Sequence, residues 1–414
     1  MSTTDWKEQE LGDILTLNYG WSLPDKKRVP GNTPVYGSNG IVGTHDQALV
    51  ASPGLIVGRK GSAGNVHYSR KPFCPIDTTF YIAPSDTSLD LEFLYFLLLH
   101  IDLKRILGDV GVPGLNREMA YKETVRFPTK QGEQRKIASV LGLVQRALEQ
   151  QERLIALTTE LKKAVLHQLF TQGLPACREA SGAGRRGEPQ KQTEIGPLPH
   201  CWEVVELGSL ASKISKGSSP RWQGFEYLSE GVLFVRSQNV GLGRMEFADR
   251  VFLSSKFNEQ EKRSILKDGD ILINLVGASI GRVALGTAEI EGANCNQAVG
   301  FVRIQQKRSF RDFIVNYLLS PMGQQQMFFQ KKDIARANLS LLDLRTFKVP
   351  VPSPAEIDEI AAVFTKIENK LDLYQRKHAA LTDLFRTLLH QLMTARIRVH
   401  DLDLSFLTPE AVSQ

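Results

Sequence analysis

At 414 residues, with 42% hydrophobic and 23% charged side chains, the chain is too long for one ordinary core and too apolar to be largely disordered or fibrous. The net charge of +6 allows a polyanionic partner without demonstrating one, and Cys74, Cys177, Cys201 and Cys295 have no CxxC spacing, so they describe neither a disulfide framework nor a zinc site. No secretory signal opens the chain, and its longest apolar run, 93–99, is far below the ~20 residues that span a bilayer. A cytoplasmic protein with no membrane partner is expected.

Taken in order, the chain is written twice. Trp6, Glu10, Leu11 and Gly12 begin a first globular segment; Trp202, Glu206, Leu207 and Gly208 begin a second at an offset of 196. In the first, 54–58 reads as a buried strand, Arg59 to Val66 as a glycine loop and 92–99 as a helix. From 131 to 173 apolar residues recur in steps of three and four: Ile137, Val140, Leu141, Val144, Leu148, Leu154, Ile155, Leu161, Val165 and Leu169. That spacing predicts one long coiled-coil-like helix of about 60 Å, at ~1.5 Å per residue. Residues 174–198, rich in Gly, Arg, Glu and Gln, read as a linker. The second segment, 199–352, repeats the plan with strands at 231–236 and 270–274 and a helix at 313–319. A second long helix spans 353–399, opened by Ser353, Pro354 and Glu356 as cap, first helical residue and capping-box glutamate. A tail follows at 400–414.

An offset of 223 carries Glu133 to Glu356, Ile137 to Ile360, Leu161 to Leu384 and His167-Gln168 to His390-Gln391. The two offsets make the second globular segment about 27 residues longer than the first, the 1–130 segment. The helices therefore repeat without insertion while the globular parts do not. Each helix exposes one apolar stripe, which the other can bury. Both histidines are expected in those seams, in structural roles.

No catalytic engine is apparent. The chain has no GxxxxGK[ST] for nucleotide phosphates, no HExxH, no GxSxG elbow and no Asn/Asp-Pro-Pro-aromatic tetrapeptide. The polar glycine loops are more informative. Arg59, Lys60, Ser62 and Asn65 surround Gly61 and Gly64, and Asn274, Ser279 and Arg282 surround Gly277 and Gly281. Glycine lets a backbone approach a phosphate, and a neighbouring cation adds charge. Tyr36, Ser38 and Asn39 in one segment, and Arg236, Ser237, Gln238 and Asn239 in the other, supply groups able to read base edges. Ordinary turns between strands fit the same residues, and local sequence does not choose.

The ordered set of marks resembles the specificity subunit of type I restriction–modification systems across essentially the whole chain. It comprises the two tryptophan openings, the paired glycine loops, Val112-Pro113-Gly114-Leu115-Asn116 and Arg336-Ala337-Asn338-Leu339-Ser340. Phe127-Pro128 and Val349-Pro350-Val351-Pro352 then lead into Glu-Gln-Arg-Lys-Ile-Ala and Glu-Ile-Asp-Glu-Ile-Ala. Lys130-Gln131-Gly132 departs from the proline usual before the first helix.

The resemblance implies an α+β protein. Two α/β target-recognition domains would be separated by two long antiparallel coiled-coil helices in an internal pseudo-two-fold repeat. It implies a non-catalytic subunit reading an asymmetric bipartite site in double-stranded DNA. Two methyltransferase subunits and restriction/translocase subunits would be its partners, and they would bind the S-adenosylmethionine, ATP and magnesium. Asn116, Arg336 and Asn338 join the DNA-binding candidates, and Glu133, His167, Gln168, Glu356, His390 and Gln391 the partner-binding ones. Three rivals remain: the specificity subunit of a stand-alone type I adenine methyltransferase, a coiled-coil scaffold that binds proteins, and a self-sufficient DNA methyltransferase.

Overall fold

The computed structural model describes residues 5–107, 114–174, 190–329 and 338–402. They divide into two compact units, Met1–Arg153 with Gln375–Gln414, and Leu154–Tyr374.

In the first unit, Trp6–Glu10 (β1) pairs antiparallel with Thr124–Pro128 (β9), closing the domain at its two ends. Between them lies a four-stranded sheet, Asn18–Tyr19 (β2), Thr79–Ile82 (β8), Gly54–Gly58 (β5) and Val66–Ser69 (β6), in the order β2-β8-β5-β6. A second sheet joins Gly40–His45 (β4), Thr33–Gly37 (β3) and Cys74–Pro75 (β7), with β3 and β7 parallel. Strand β5 is buried at every position, which explains its unbroken apolar run. Helix Leu91–Ile101 (α1) packs Phe93, Leu94, Phe96, Leu97 and Leu98 into the core, its first turn capped by Asp90 accepting from the Phe93 amide at 3.0 Å. A short helix, Arg117–Tyr121 (α2), precedes β9.

The second unit repeats the plan. Glu203–Glu206 (β12) pairs with Lys348–Val351 (β21). The main sheet is Ala211–Lys216 (β13), Val299–Ile304 (β20), Ile271–Asn274 (β17) and Val283–Leu285 (β18), extended by the edge strand Gly243–Arg244 (β15). Val232–Val235 (β14) is parallel to Asn294–Cys295 (β19), as β3 is to β7, and also pairs with Phe252–Leu253 (β16). Most of the extra length of this domain enters between β14 and β17. Helix Arg308–Leu319 (α4) stands where α1 does, and Leu341–Thr346 (α5) where α2 does. Residues 190–198, expected in the linker, instead enter a hairpin of Gln190–Thr193 (β10) and Gly196–Pro199 (β11) that turns at Glu194–Ile195, with Gly196 just after the turn at φ +106°.

The long helices are Gln131–Gln172 (α3) and Pro354–Met393 (α6), each contributing to both units. In the second unit Leu174 meets Glu356 and Lys162 meets Glu368; in the first, Glu152 meets His378. Residue numbers fall on one helix as they rise on the other, so the pairing is antiparallel.

Four expectations need correction. Helix α6 ends at Met393, not 399; Ala395 takes φ +55° and the chain returns so that Ile397 and Val399 join the first unit's core. Leu161 and Leu384, placed in the seams by period, are 53% and 45% exposed, because Lys162 and Phe385 occupy the inner positions beside them. His167 and His390 are likewise exposed and not in the seams. Cys201 is disulfide-bonded, whereas Cys74 and Cys295 are buried thiols, that of Cys295 pushed well up by burial.

Candidate nucleic-acid interface

One lock recurs at the base of each domain. Trp6 Nε1 donates to Glu133 in the first turn of α3 at 3.2 Å, and Arg398, just past the end of α6, reaches the same oxygen at 3.1 Å. Trp202 Nε1 donates to Glu356 in the first turn of α6 at 2.9 Å, and the amide of Leu174, just past the end of α3, donates to its other oxygen at 2.9 Å. Ser353 Oγ accepts from the Glu356 amide at 3.3 Å, but the glutamate side chain turns to the tryptophan and does not complete the capping box. Glu133 and Glu356, expected as partner-binding residues, are thereby committed inside their own units.

At each domain's loops the structure joins the two polar segments singled out above. In the first domain Ser38 Oγ donates to the Thr78 carbonyl at 2.6 Å, which also accepts the amides of Arg59 and Lys60 at 2.8 and 3.1 Å. His67 Nε2 lies 3.2 Å from the Ser38 carbonyl. In the second domain Asn274 Nδ2 donates to the Ser237 carbonyl at 2.8 Å, fastening the Ser237 loop to the start of the Gly277 loop. Asp270, fully buried at the other end of β17, holds Arg303 through two bonds of 2.8 Å, which raise the guanidinium's pKa further.

These sutures divide the candidates. Tyr36, Ser38, Asn239 and Asn274, expected as DNA-binding residues, are buried and bonded or packed within the fold. All are at most 8% exposed; the Tyr36 ring packs edge-on to Phe73 at 5.9 Å, and Asn239 takes the Arg236 amide while donating to the Glu246 and Asp249 carbonyls. Asn116 caps α2, accepting the Glu118 and Met119 amides. Asn39, Lys60, Gln238, Arg282 and Asn338 are exposed; Arg59, Ser62, Asn65, Arg236, Ser237 and Ser279 are half-buried. Arg336 lies outside the described residues.

Arg236 is tied to Asp249 at 2.8 Å, and Gln238 Nε2 donates to the same carboxylate. Arg59 donates to the Asp77 carbonyl at 2.6 Å and lies 5.2 Å from the Tyr19 ring; Arg117 lies 5.3 Å from the same ring. Tyr19, half exposed, and Arg117 complete a cationic–aromatic patch with Arg59 and Lys60. Sequence reasoning missed both, because only the folded sheet brings β2 and the cap of α2 beside the Gly61 loop. The matching positions of the second domain, Leu275, Val276 and Leu341, are apolar, although each loop bridges to the segment before its short helix in the same way: Lys60 to Gly114, Val276 to Asn338. Gly61 and Gly277 take φ +73° and +78° with open space at the missing Cβ, so backbone conformation alone favours glycine there.

Among the described residues no group of three or more His, Cys, Asp and Glu is arranged to hold a metal, and no helix is long and apolar enough to cross a membrane.

The chain is similar along most of its length to proteins of one kind. It is 23% identical over 318 residues to the type I restriction enzyme MjaVIII specificity subunit of Methanocaldococcus jannaschii, covering 76% of this chain and 72% of that one. Over 163 residues it is 31% identical to the EcoBI specificity subunit of Escherichia coli, covering 39% and 34%. Its fold matches the crystal structure of a type I restriction–modification S subunit from M. genitalium, with TM-score 0.65, 19% identity and coverage of 95% and 97%. Residues 3–159 and 199–383 match the family described as type I restriction modification DNA specificity domain. With two such domains, one on each side of α3, the chain belongs to the type I restriction–modification DNA specificity family, as a specificity subunit.

Proposed function

We propose that this subunit reads an asymmetric bipartite site in double-stranded DNA, one half with each domain, and docks two methyltransferase subunits along its long helices. The reading rests on one observation: the same loop scaffold occurs twice with different exposed side chains. Asn39 and Lys60 are exposed in one domain, beside the half-buried Arg59 and Arg117, and Gln238 and Arg282 are exposed in the other. Equal scaffolds suit equal approach to a duplex, and unequal side chains suit unequal half-sites.

On the helices, the exposed Leu161, His167 and Gln168 of α3 match Leu384 and His390 of α6, with Gln391 half-buried. Two like surfaces fit two copies of one partner. Restriction subunits would join that assembly in the cytoplasm. S-adenosylmethionine, ATP and magnesium would belong to those partners, this chain supplying address and not chemistry.

The test is a map of N6-methyladenine in cells carrying this subunit with its methyltransferase. A two-part motif with unlike halves is the expected outcome. A continuous or palindromic motif, or methylation unchanged when the subunit is deleted, would count against the reading.

A further inference from the structure

Both domains carry a second feature that the glycine loops do not explain. A glycine sits against a backbone carbonyl too closely for any side chain: a Cβ on Gly20 would stand 2.2 Å from the Ile76 oxygen, and one on Gly217 1.7 Å from the Cys295 oxygen. Gly20 donates to the Thr79 carbonyl and Gly217 to the Val299 carbonyl, equivalent points on β8 and β20. A few residues later a proline, Pro24 or Pro220, starts a single 3₁₀ turn: Asp25–Lys27 in the first domain and Arg221–Trp222–Gln223 in the second.

Each turn is held firmly. In the first, Arg28 donates to the Leu23 and Val42 carbonyls and pairs with Asp25. In the second, the amides of Gln223 and Phe225 both donate to the Pro220 carbonyl, Gly224 closes the turn at φ +79°, and Gln223 donates to Glu261 at 2.7 Å.

What these turns present has no role in the fold. Trp222 is 89% exposed, the most exposed large apolar side chain among the described residues. Lys26 and Lys27 are exposed and form no ion pair among the described residues. Each turn also abuts its domain's reading loop. The Tyr227 ring lies 5.4 Å from the Arg221 guanidinium and 5.8 Å from that of Arg236, and Arg28 bonds the strand that follows Asn39. An indole exposed this far leaves hydrophobic surface in water, yet the turn fixes it there, next in sequence to Arg221, whose guanidinium shares the Tyr227 ring with that of Arg236. A partner with flat aromatic faces and negative charge satisfies both features at once, and nucleic acid is that partner.

We propose that the proline-led turns are a paired DNA-contacting element, with Trp222 stacking on or wedging beside a base in the half-site of the second domain and Lys26 and Lys27 contacting phosphates in that of the first. The proposal rests on the DNA-reading function above and names residues for it.

The test uses the full chain assembled with its methyltransferase and a duplex bearing the mapped motif, with 2-aminopurine placed at successive positions of each half-site. Trp222→Ala is expected to weaken binding about ten-fold or more with the salt slope unchanged, to abolish a 2-aminopurine signal in one half-site only, and to leave thermal unfolding unmoved. Trp222→Phe should restore most of the affinity. Lys26→Ala with Lys27→Ala should weaken cognate and unrelated duplexes alike and flatten the salt slope. If the wild-type assembly binds its motif and Trp222→Ala binds equally well with the same 2-aminopurine response, this inference is wrong while the DNA-reading function stands. Loss of methyltransferase from the Trp222→Ala complex would also overturn it, by making the turn a protein contact. Failure of the wild-type assembly to prefer its motif would instead remove the function on which the inference rests.

Discussion

Trp202 is fully buried with its indole N–H on a carboxylate that also takes the Leu174 amide, so removing Glu356 orphans two donors at once. Trp6 is slightly more open, and the arginine sharing its carboxylate is 25% exposed and can turn to water. Glu356→Ala should therefore cost about 2–4 kcal/mol and Glu133→Ala about 1 kcal/mol. Urea unfolding of both variants measures the difference; equal losses would show that burial does not grade the two locks. The reading loop of the second domain separates in the same way. Asn274→Ala removes a buried strut and should cost about 1–2 kcal/mol while relaxing several motif positions, because Ser237 and its neighbours lose their anchor. Gln238→Ala removes an exposed side chain and its surface bond to Asp249, and should relax one position with stability changed by less than about 0.5 kcal/mol, read by methylation mapping beside a melting curve.

At the scale of elements, α1 and α6 meet through His100 and His390, whose ring centroids lie 5.8 Å apart. Burial first, then the neighbouring His390, lowers the His100 pKa from 6.5. A histidine held neutral in the folded chain gives stability that is present above its unfolded pKa and lost as pH falls from there through the lowered folded value. Stability should thus decline on acidification below about 6.5 more in the wild type than in a His100→Gln variant. The same fall in both would place the acid sensitivity elsewhere. The long helices themselves were legible because an apolar residue every three or four positions has only one regular solution. Which leucines stay outside was not: Leu161 and Leu384 fit the period as well as their neighbours do, and tertiary contacts settled the choice, Glu368 taking Lys162 and Phe96 taking Phe385.

For the whole molecule, half-site identity should travel with a domain. β1 and β9 close the first domain at Trp6 and Pro128, so exchanging residues 6–128 for another recognition domain cuts where the chain already returns to one place. Such a chimera should change one half of the methylated motif and leave the other half and the spacer alone. A change in both halves would show that the domains do not read independently.

The sequence by itself determined the repeat, the helices and the family, because each is written in local order: spacing of apolar residues, placement of glycine and proline, and constant offsets between copies. The buried strands 54–58 and 271–274 were equally plain as short apolar runs between turn residues. Only the tertiary structure decided which polar residues remain free. Asn39 and Asn239 are alike in sequence terms, yet one is a loop tip and the other takes a backbone amide inside the fold. Tyr19, Arg117 and Trp222 carry no motif; a shared sheet edge and a rigid turn make them surface features. A buried amide and an exposed one differ in what is packed around them, and that is set by residues far away in the chain.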